Sequence, residues 1–262
     1  MSNIEILMAT MNRNSISDID WKYKNTKLPV LLINQSHFTS ESQIDNVRMI
    51  SCLERGSSNS RNKALEYSSG EICLIADDDV AYVDDLENII SDAFKKNPSA
   101  DIITFQIKTP DGSKFNDGYL CKKKWHSWRT ILKCASIEIA FRRNSIMSNN
   151  LKFDTRFGLG SKYKVHDEII FLKDALDLGL KILYIPIPIV IHPKESSGTD
   201  FTPELIVSKG AAFIRLFGIK GFLFDVFFAI KKHQVYMSQC NFLVFLKKII
   251  SGSLKFLKED MK

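Results

Sequence analysis

The 262-residue sequence predicts an α/β fold in which a mostly parallel sheet has helices on both faces and is followed by an amphipathic helical C-terminal extension. Three observations carry this expectation. Short, β-rich apolar runs at 4–9 (IEILMA), 29–33 (PVLLI), 71–76 (EICLIA) and 101–107 (DIITFQI) are bounded by polar or turn residues, as buried strands are. Segments of helical spacing lie between them. Residues 201–262 differ in composition: they hold 10 of the 18 phenylalanines, and 10 Lys and Arg against 4 Asp and Glu, so the whole net charge of +6 falls there.

In chain order, the first strand is 4–9 and the second 29–33. Residues 58–70 (SNSRNKALEYSSG) have a Ser/Asn start and a glycine stop, and 84–97 (DDLENIISDAFKKN) has an acidic first turn and a basic last turn, matching the helix dipole. Each follows a strand or leads into one. The stretch 108–130 is rich in turn residues, and a long loop and a pair of edge strands both fit it. Residues 135–143 (ASIEIAFRR) alternate like a half-buried strand, 167–179 read as a helix, and ILYIPIPIVIH reads as paired strand segments ending at His192. The expected division is a catalytic domain over 1–198, with halves 1–107 and 108–198, and the extension over 199–262.

Composition excludes several classes. The five cysteines are odd in number, scattered and never in C-x-x-C spacing, which argues against a disulfide framework or a zinc knuckle. The start, MSNIEILMATMNR, lacks a signal peptide's basic and apolar regions, so a cytoplasmic location is expected.

Two acidic constellations stand out. Asp77, Asp78 and Asp79 follow an apolar strand directly, and three adjacent carboxylates repel one another. A solvated turn before a helix explains them, and so does a divalent cation at the carboxyl end of the strand. Asp167 and Glu168 open a helix behind a loop containing Gly158 and Gly160. They suit the positive helix end, and a carboxylate held there also suits a general base. His192 ends an apolar strand and fits a structural or a metal-ligating role alike.

The stretches LMATMNR, ERGSSNSRNKALEYSSGEICLIADDDV and FDTRFGLGSKYKVHDEIIFLKDALDLGLKILYIP occur in the order and spacing of a nucleotide-sugar glycosyltransferase. Over roughly residues 3–198 the chain resembles family 2 enzymes of GT-A (Rossmann-like) fold, of the bacterial polysaccharide-assembly type. The resemblance implies an inverting, metal-dependent enzyme that moves a sugar from a nucleoside-diphosphate sugar to a saccharide acceptor. Asp77 and Asp79 match the DxD motif, which binds the donor's ribose and, through Mn²⁺ or Mg²⁺, its diphosphate, with Asp78 able to replace either neighbour. His192 is the implied third metal ligand. Glu168 fits the catalytic base, with Asp167 as the alternative. Thr10, Asn12, Arg13, Asn34, Arg61 and Asn62 match positions near the donor; Asn34 stands where an aspartate commonly reads uracil. A catalytically inactive assembly partner and a sugar nucleotidyltransferase are the alternatives.

In the extension, Phe242, Phe245, Leu246, Ile249, Ile250, Leu254 and Leu257 recur at three- and four-residue steps, with lysines opposite. Such a helix suits an anionic membrane surface, and equally a helix packed on the domain. The expected protein is peripheral at the inner face of the cell membrane, with a polyprenyl-linked saccharide as acceptor. The phenylalanines do not interleave with basic residues on an exposed face, so no nucleic-acid partner is expected.

Overall fold

The computed structural model of the protein describes residues 3–21, 26–113, 115–116, 118–193 and 201–260. The expected domain boundary at 198/199 lies outside them, as does Lys262. Four parallel strands form one half of a mixed sheet: β1 (Ile4–Met11), β2 (Val30–Gln35), β4 (Val47–Cys52) and β5 (Ile72–Asp77). The strand β3 (Ser40–Ile44) pairs antiparallel with β4 at the edge. Sequence reading passed over this hairpin because SESQI is polar and exposed throughout, leaving no apolar alternation to detect. Its turn has Asp45 at φ +48, a conformation that Asp tolerates better than most residues.

Beyond β5 the sheet continues through β9 (Ile139–Arg142), β7 (Ile102–Lys108), β10 (Ile182–Ile191) and the short β6 (Ala81–Tyr82), with β8 (Lys124–Trp125) also pairing β10. The strand β9 runs antiparallel to both neighbours, while β7 and β10 are parallel. The sheet expected to be mostly parallel is thus a mixed one within the expected α/β fold. Residues 136–138 form a 3-10 turn, so the strand expected over 135–143 is confined to its second half. The expected paired segments near 182–192 are a single strand whose register against β7 slips around Pro188. Proline has no N–H for the ladder, and Pro186 and Pro188 account for the irregularity.

Helices cover both faces. Alternation along β1 sends Ile4, Ile6 and Met8 into the layer shared with α2 (Leu86–Lys96), and Leu7 into the layer holding α1 (Ser57–Tyr67) and α4 (Asp167–Asp177). A short helix, α3 (Arg143–Ser148), follows β9.

The extension consists of α5 (Pro203–Phe217), α6 (Gly221–Lys231), α7 (His233–Tyr236) and α8 (Phe242–Asp260). Helices α5 and α8 touch backbone to backbone: a Cβ on Gly210 would lie 1.9 Å from the Ile249 carbonyl oxygen, and one on Gly252 2.0 Å from that of Val207. Arg215 of α5 pairs with Asp154 at 2.8 Å and Asp174 at 2.6 Å, and Lys162 pairs with Glu259 of α8 at 2.6 Å. These contacts tie the extension to the sheet domain.

Of the two readings of the last helix, the structure shows packing on the domain. The apolar face of 242–257, expected at a membrane, is used inside the protein: Phe245 and Ile249 are fully buried with Ile206, Ala229 and Tyr236. An aromatic core from α5, α6 and α7 covers the centre of that face, while Leu254 remains 45% exposed. No helix among the described residues is long and apolar enough to cross a membrane.

Candidate active site

The carboxyl ends of the parallel strands open onto one cleft of about 820 Å³, the position where open α/β sheets take ligands. Thr10 and Arg13 follow β1 into it, Asp77, Asp78 and Asp79 leave β5, His192 follows β10, and Asp167 and Glu168 enter from the first turn of α4. Arg61 reaches in from α1.

Each of the three consecutive aspartates has a different positive or potentially positive partner, which removes the repulsion that the sequence raised. Asp77 meets Arg61 Nη2 at 3.3 Å, Asp78 meets Arg13 Nη2 at 3.0 Å and accepts from Thr10 Oγ1, and Asp79 lies 3.4 Å from His192 Nε2. Arg61 also pairs with Asp167, so a single buried guanidinium bridges the two acidic constellations. Ser57 Oγ donates to the same Asp167 carboxylate at 3.2 Å. The loop before α4 comes close enough for this because Gly158 has φ +103, and a Cβ there would fall 2.2 Å from Ser57 Oγ.

The paired carboxylates differ in character. Burial works against the charge on Asp167, but Arg61 together with hydrogen bonds from Glu168, the backbone and Ser57 outweighs it and holds that carboxyl below the usual carboxylate range. Glu168 lacks such a partner. Burial, joined by the neighbouring Asp167 charge, pushes it up to about 8. Burial first, and then Asp79 and Asp167, also raise Asp77 despite Arg61. His166, at φ +67 just before α4, is pushed down to about 3 by burial, helped by Lys209 and opposed by Asp167, and so is neutral at ordinary pH.

The Asp79–His192 pair suits a cation. His192 Nδ1 lies 2.6 Å from the Pro193 carbonyl, which can only accept, so Nδ1 carries a proton and Nε2 is the ring atom that faces Asp79. An imidazole nitrogen beside a carboxylate oxygen is a pair of donors that would suit a divalent ion. Among the described residues no cluster of three such ligands is gathered. Asp77, expected to be one of three, is instead turned to Arg61.

Three expected donor contacts lie off the cleft. Asn34 is fully buried; its Oδ1 accepts from the Arg13 amide at 3.1 Å, and its Nδ2 donates to the Arg13 carbonyl at 2.8 Å and to Ser51 Oγ at 2.9 Å. Fully buried, it ties the Arg13 loop to β2 and Ser51. Asn62 clasps the Phe153 backbone through both amide atoms, at 2.9 and 2.8 Å. Asn12, at φ +56, accepts from Arg55 at 3.1 Å. Sequence reading in turn missed Gln35, Ser57, Lys164, His166 and Lys209, all of which line the cleft. Lys209 had no local signal, since it sits in the greasy first helix of the extension.

A family model described as Glycosyl transferase family 2 matches residues 32–169. Among solved structures, S. aureus TarS 1–349 in complex with UDP-GlcNAc is similar with a TM-score of 0.66 at 13% identity, over 97% of this chain and 80% of that one. The same protein in complex with UDP gives 0.60 at 14%, over 95% and 80%. A longer S. aureus TarS structure gives 0.56 at 14%, over 89% of this chain but 43% of that one. At these identities the likeness is one of fold. No curated protein matches the chain.

Proposed function

Since the chain belongs to glycosyl transferase family 2 and is a glycosyltransferase, we propose that it moves a sugar from a nucleoside-diphosphate sugar to a saccharide hydroxyl with inversion. One observation carries the reading: a single cleft joins the Asp77–Asp79 cluster to a carboxylate, Glu168, that is poised to take a proton and lacks an arginine partner. The acceptor hydroxyl loses its proton to Glu168 Oε as its oxygen bonds to the anomeric carbon, and the bond from that carbon to the diphosphate oxygen breaks on the opposite side. Asp167, held by Arg61 and Ser57, orients the first turn of α4 and so positions Glu168. Thr10 and Arg13 fix Asp78 and the rim at the nucleotide end.

Asp79 and His192 would hold Mn²⁺ or Mg²⁺. When bound, such an ion neutralises the charge that develops on the departing diphosphate. The UDP and UDP-GlcNAc named for the TarS complexes support a uridine donor.

The membrane reading moves to a different helix. Ile219, Leu223, Phe227 and Ile230 form an apolar line beside α6 at helical spacing, each more than half exposed, with exposed Lys220 and Lys231 at either end. Such a face fits an anionic bilayer surface and a lipid-linked acceptor in cell-surface polysaccharide synthesis.

A thermal-shift panel of nucleoside diphosphates and nucleotide sugars, with and without Mn²⁺, tests the donor assignment, since a ligand that binds only the folded state raises its melting temperature. Stabilisation by one nucleoside diphosphate, strengthened by Mn²⁺, is the expected result. No response to any of them would sink the assignment.

A further inference from the structure

Lys209 is a charged side chain that the sugar-transfer reading leaves without a task. It is 7% exposed, it lines the same cleft as Glu168, and no carboxylate among the described residues forms an ion pair with it. Its Nζ lies 5.6 Å from the centre of the Phe228 ring, so its near neighbour is apolar. Burial pulls its pKa below the ordinary lysine value, with Glu168 opposing the change and Lys232 adding to it. A poorly hydrated ammonium without an ion-paired carboxylate is costly, and the negative charge of a ligand would offset that cost.

The surroundings narrow that ligand. Lys164 lies on the rim of the same cleft, and its backbone N–H donates to Ser208 Oγ at 3.0 Å, which fixes the Lys164 loop to α5 immediately beside Lys209. His166 between them is neutral and contributes no competing charge. Both lysines belong to the Glu168 side, whereas the two cleft arginines are spent on Asp77, Asp78 and Asp167. Two ammonium groups without a guanidinium fork suit phosphate oxygens, which lysine binds as a point charge, better than the planar bidentate geometry of a carboxylate.

We infer that Lys209 and Lys164 form a phosphate subsite on the acceptor side of the cleft, so that the acceptor presents a phosphate group next to the hydroxyl that Glu168 deprotonates. The inference rests on the reading of Glu168 as the acceptor's base. It makes α5, the first helix of the extension, part of the substrate site. The phosphate has two possible sources, a phosphorylated saccharide and the headgroup of a lipid-linked one.

The test is a calorimetric titration of the full chain, saturated with UDP and Mg²⁺, with inorganic phosphate, glycerol 3-phosphate and glycerol, accompanied by co-sedimentation with phosphatidic acid and phosphatidylcholine vesicles. Phosphate and glycerol 3-phosphate should bind and glycerol should not. Lys209→Met should weaken both anions at least about tenfold, as expected for loss of one charge-assisted hydrogen bond. Lys164→Ala, a rim change that leaves the core untouched, should weaken them in the same direction. Binding of soluble glycerol 3-phosphate assigns the phosphate to the saccharide; lysine-dependent binding of phosphatidic acid vesicles alone assigns it to the lipid. Absence of both, or binding indifferent to both substitutions, overturns the subsite. So does a parallel loss of UDP affinity in Lys209→Met, which would place the lysine on the donor. If the wild type fails to bind UDP, the donor reading falls, while the phosphate titration still judges the subsite directly.

Discussion

Glu168→Gln tests the site through activity and stability at once, and the two should move in opposite directions. The substitution keeps the shape of the side chain but cannot accept a proton, so transfer should fall by about 10²-fold or more while UDP binding survives. In the wild type, burial and the Asp167 charge set the Glu168 carboxyl at about 8. A base must be ionised to act, and below its pKa the ionised fraction falls tenfold per pH unit. The wild-type kcat/KM should therefore rise with pH and level off above about 8, with roughly one hundredth of the plateau at pH 6. The variant's residual rate should lack that limb.

Stability follows with the opposite sign. The folded state holds the Glu168 proton more tightly than the unfolded chain does, because the folded pKa of about 8 lies above the ordinary 4.5. Between those values the folded state binds more protons, so rising pH erodes stability across this window. The full difference corresponds to a ceiling of roughly 5 kcal/mol, which water in the cleft reduces to about 1–3 kcal/mol. Glutamine removes this loss. Glu168→Gln should melt several degrees above the wild type at pH 8.5 and close to it at pH 4.5, followed by circular dichroism. A variant that melts no higher than wild type at pH 8.5 would refute the electrostatic account of Glu168. A pH limb persisting in the variant would place the base elsewhere.

Other outcomes follow from the same geometry. Arg61→Met leaves Asp77 and Asp167 facing each other without their shared cation, and urea unfolding should report a loss of about 3–5 kcal/mol, the range for breaking a buried pair. Asp79→Asn, at a side chain 67% exposed, should abolish the Mn²⁺-dependent part of UDP binding while leaving the melting temperature of the ligand-free protein unchanged; calorimetry with and without EDTA reads it. Phe245→Ala should cost about 3–5 kcal/mol and leave membrane affinity alone, whereas the paired change Leu223→Asp and Phe227→Asp should release the protein from anionic liposomes with little effect on stability. Flotation unaffected by the α6 pair would remove that face from the membrane role.

The sheet was legible because buried strands announce themselves by composition. Ile4–Ala9, Val30–Ile33, Ile72–Ala76 and Ile102–Ile107 are apolar on both faces, as strands covered by helices on both sides must be. The hairpin of β3 and β4 escaped because its outer strand touches the core nowhere. The direction of β9 was hidden for a different reason: nothing local distinguishes a strand that enters a sheet antiparallel. The extension's helix was legible as amphipathic, but amphipathicity states only that one face avoids water. Gly210 and Gly252, where α5 and α8 meet at backbone distance, are the residues that betray a protein partner for that face. At the site, acidic clusters could be read from spacing, yet Asn34 and Asn62 drew attention by position alone and turned out to bond backbone.

The charge balance of the cleft separates structural from chemical carboxylates more sharply than sequence position does. Five carboxylates gather there, and two arginines meet three of them: Arg13 takes Asp78, while Arg61 takes Asp77 and Asp167. Asp79, which faces His192 Nε2, and Glu168, with its raised pKa, have no guanidinium. Asp167, matched by the buried Arg61 guanidinium, gains little from a further cation and resists a proton. A carboxylate without a guanidinium gains from either. Under the proposed reading, Asp79 is therefore the carboxylate suited to an incoming metal ion and Glu168 the one suited to an incoming proton.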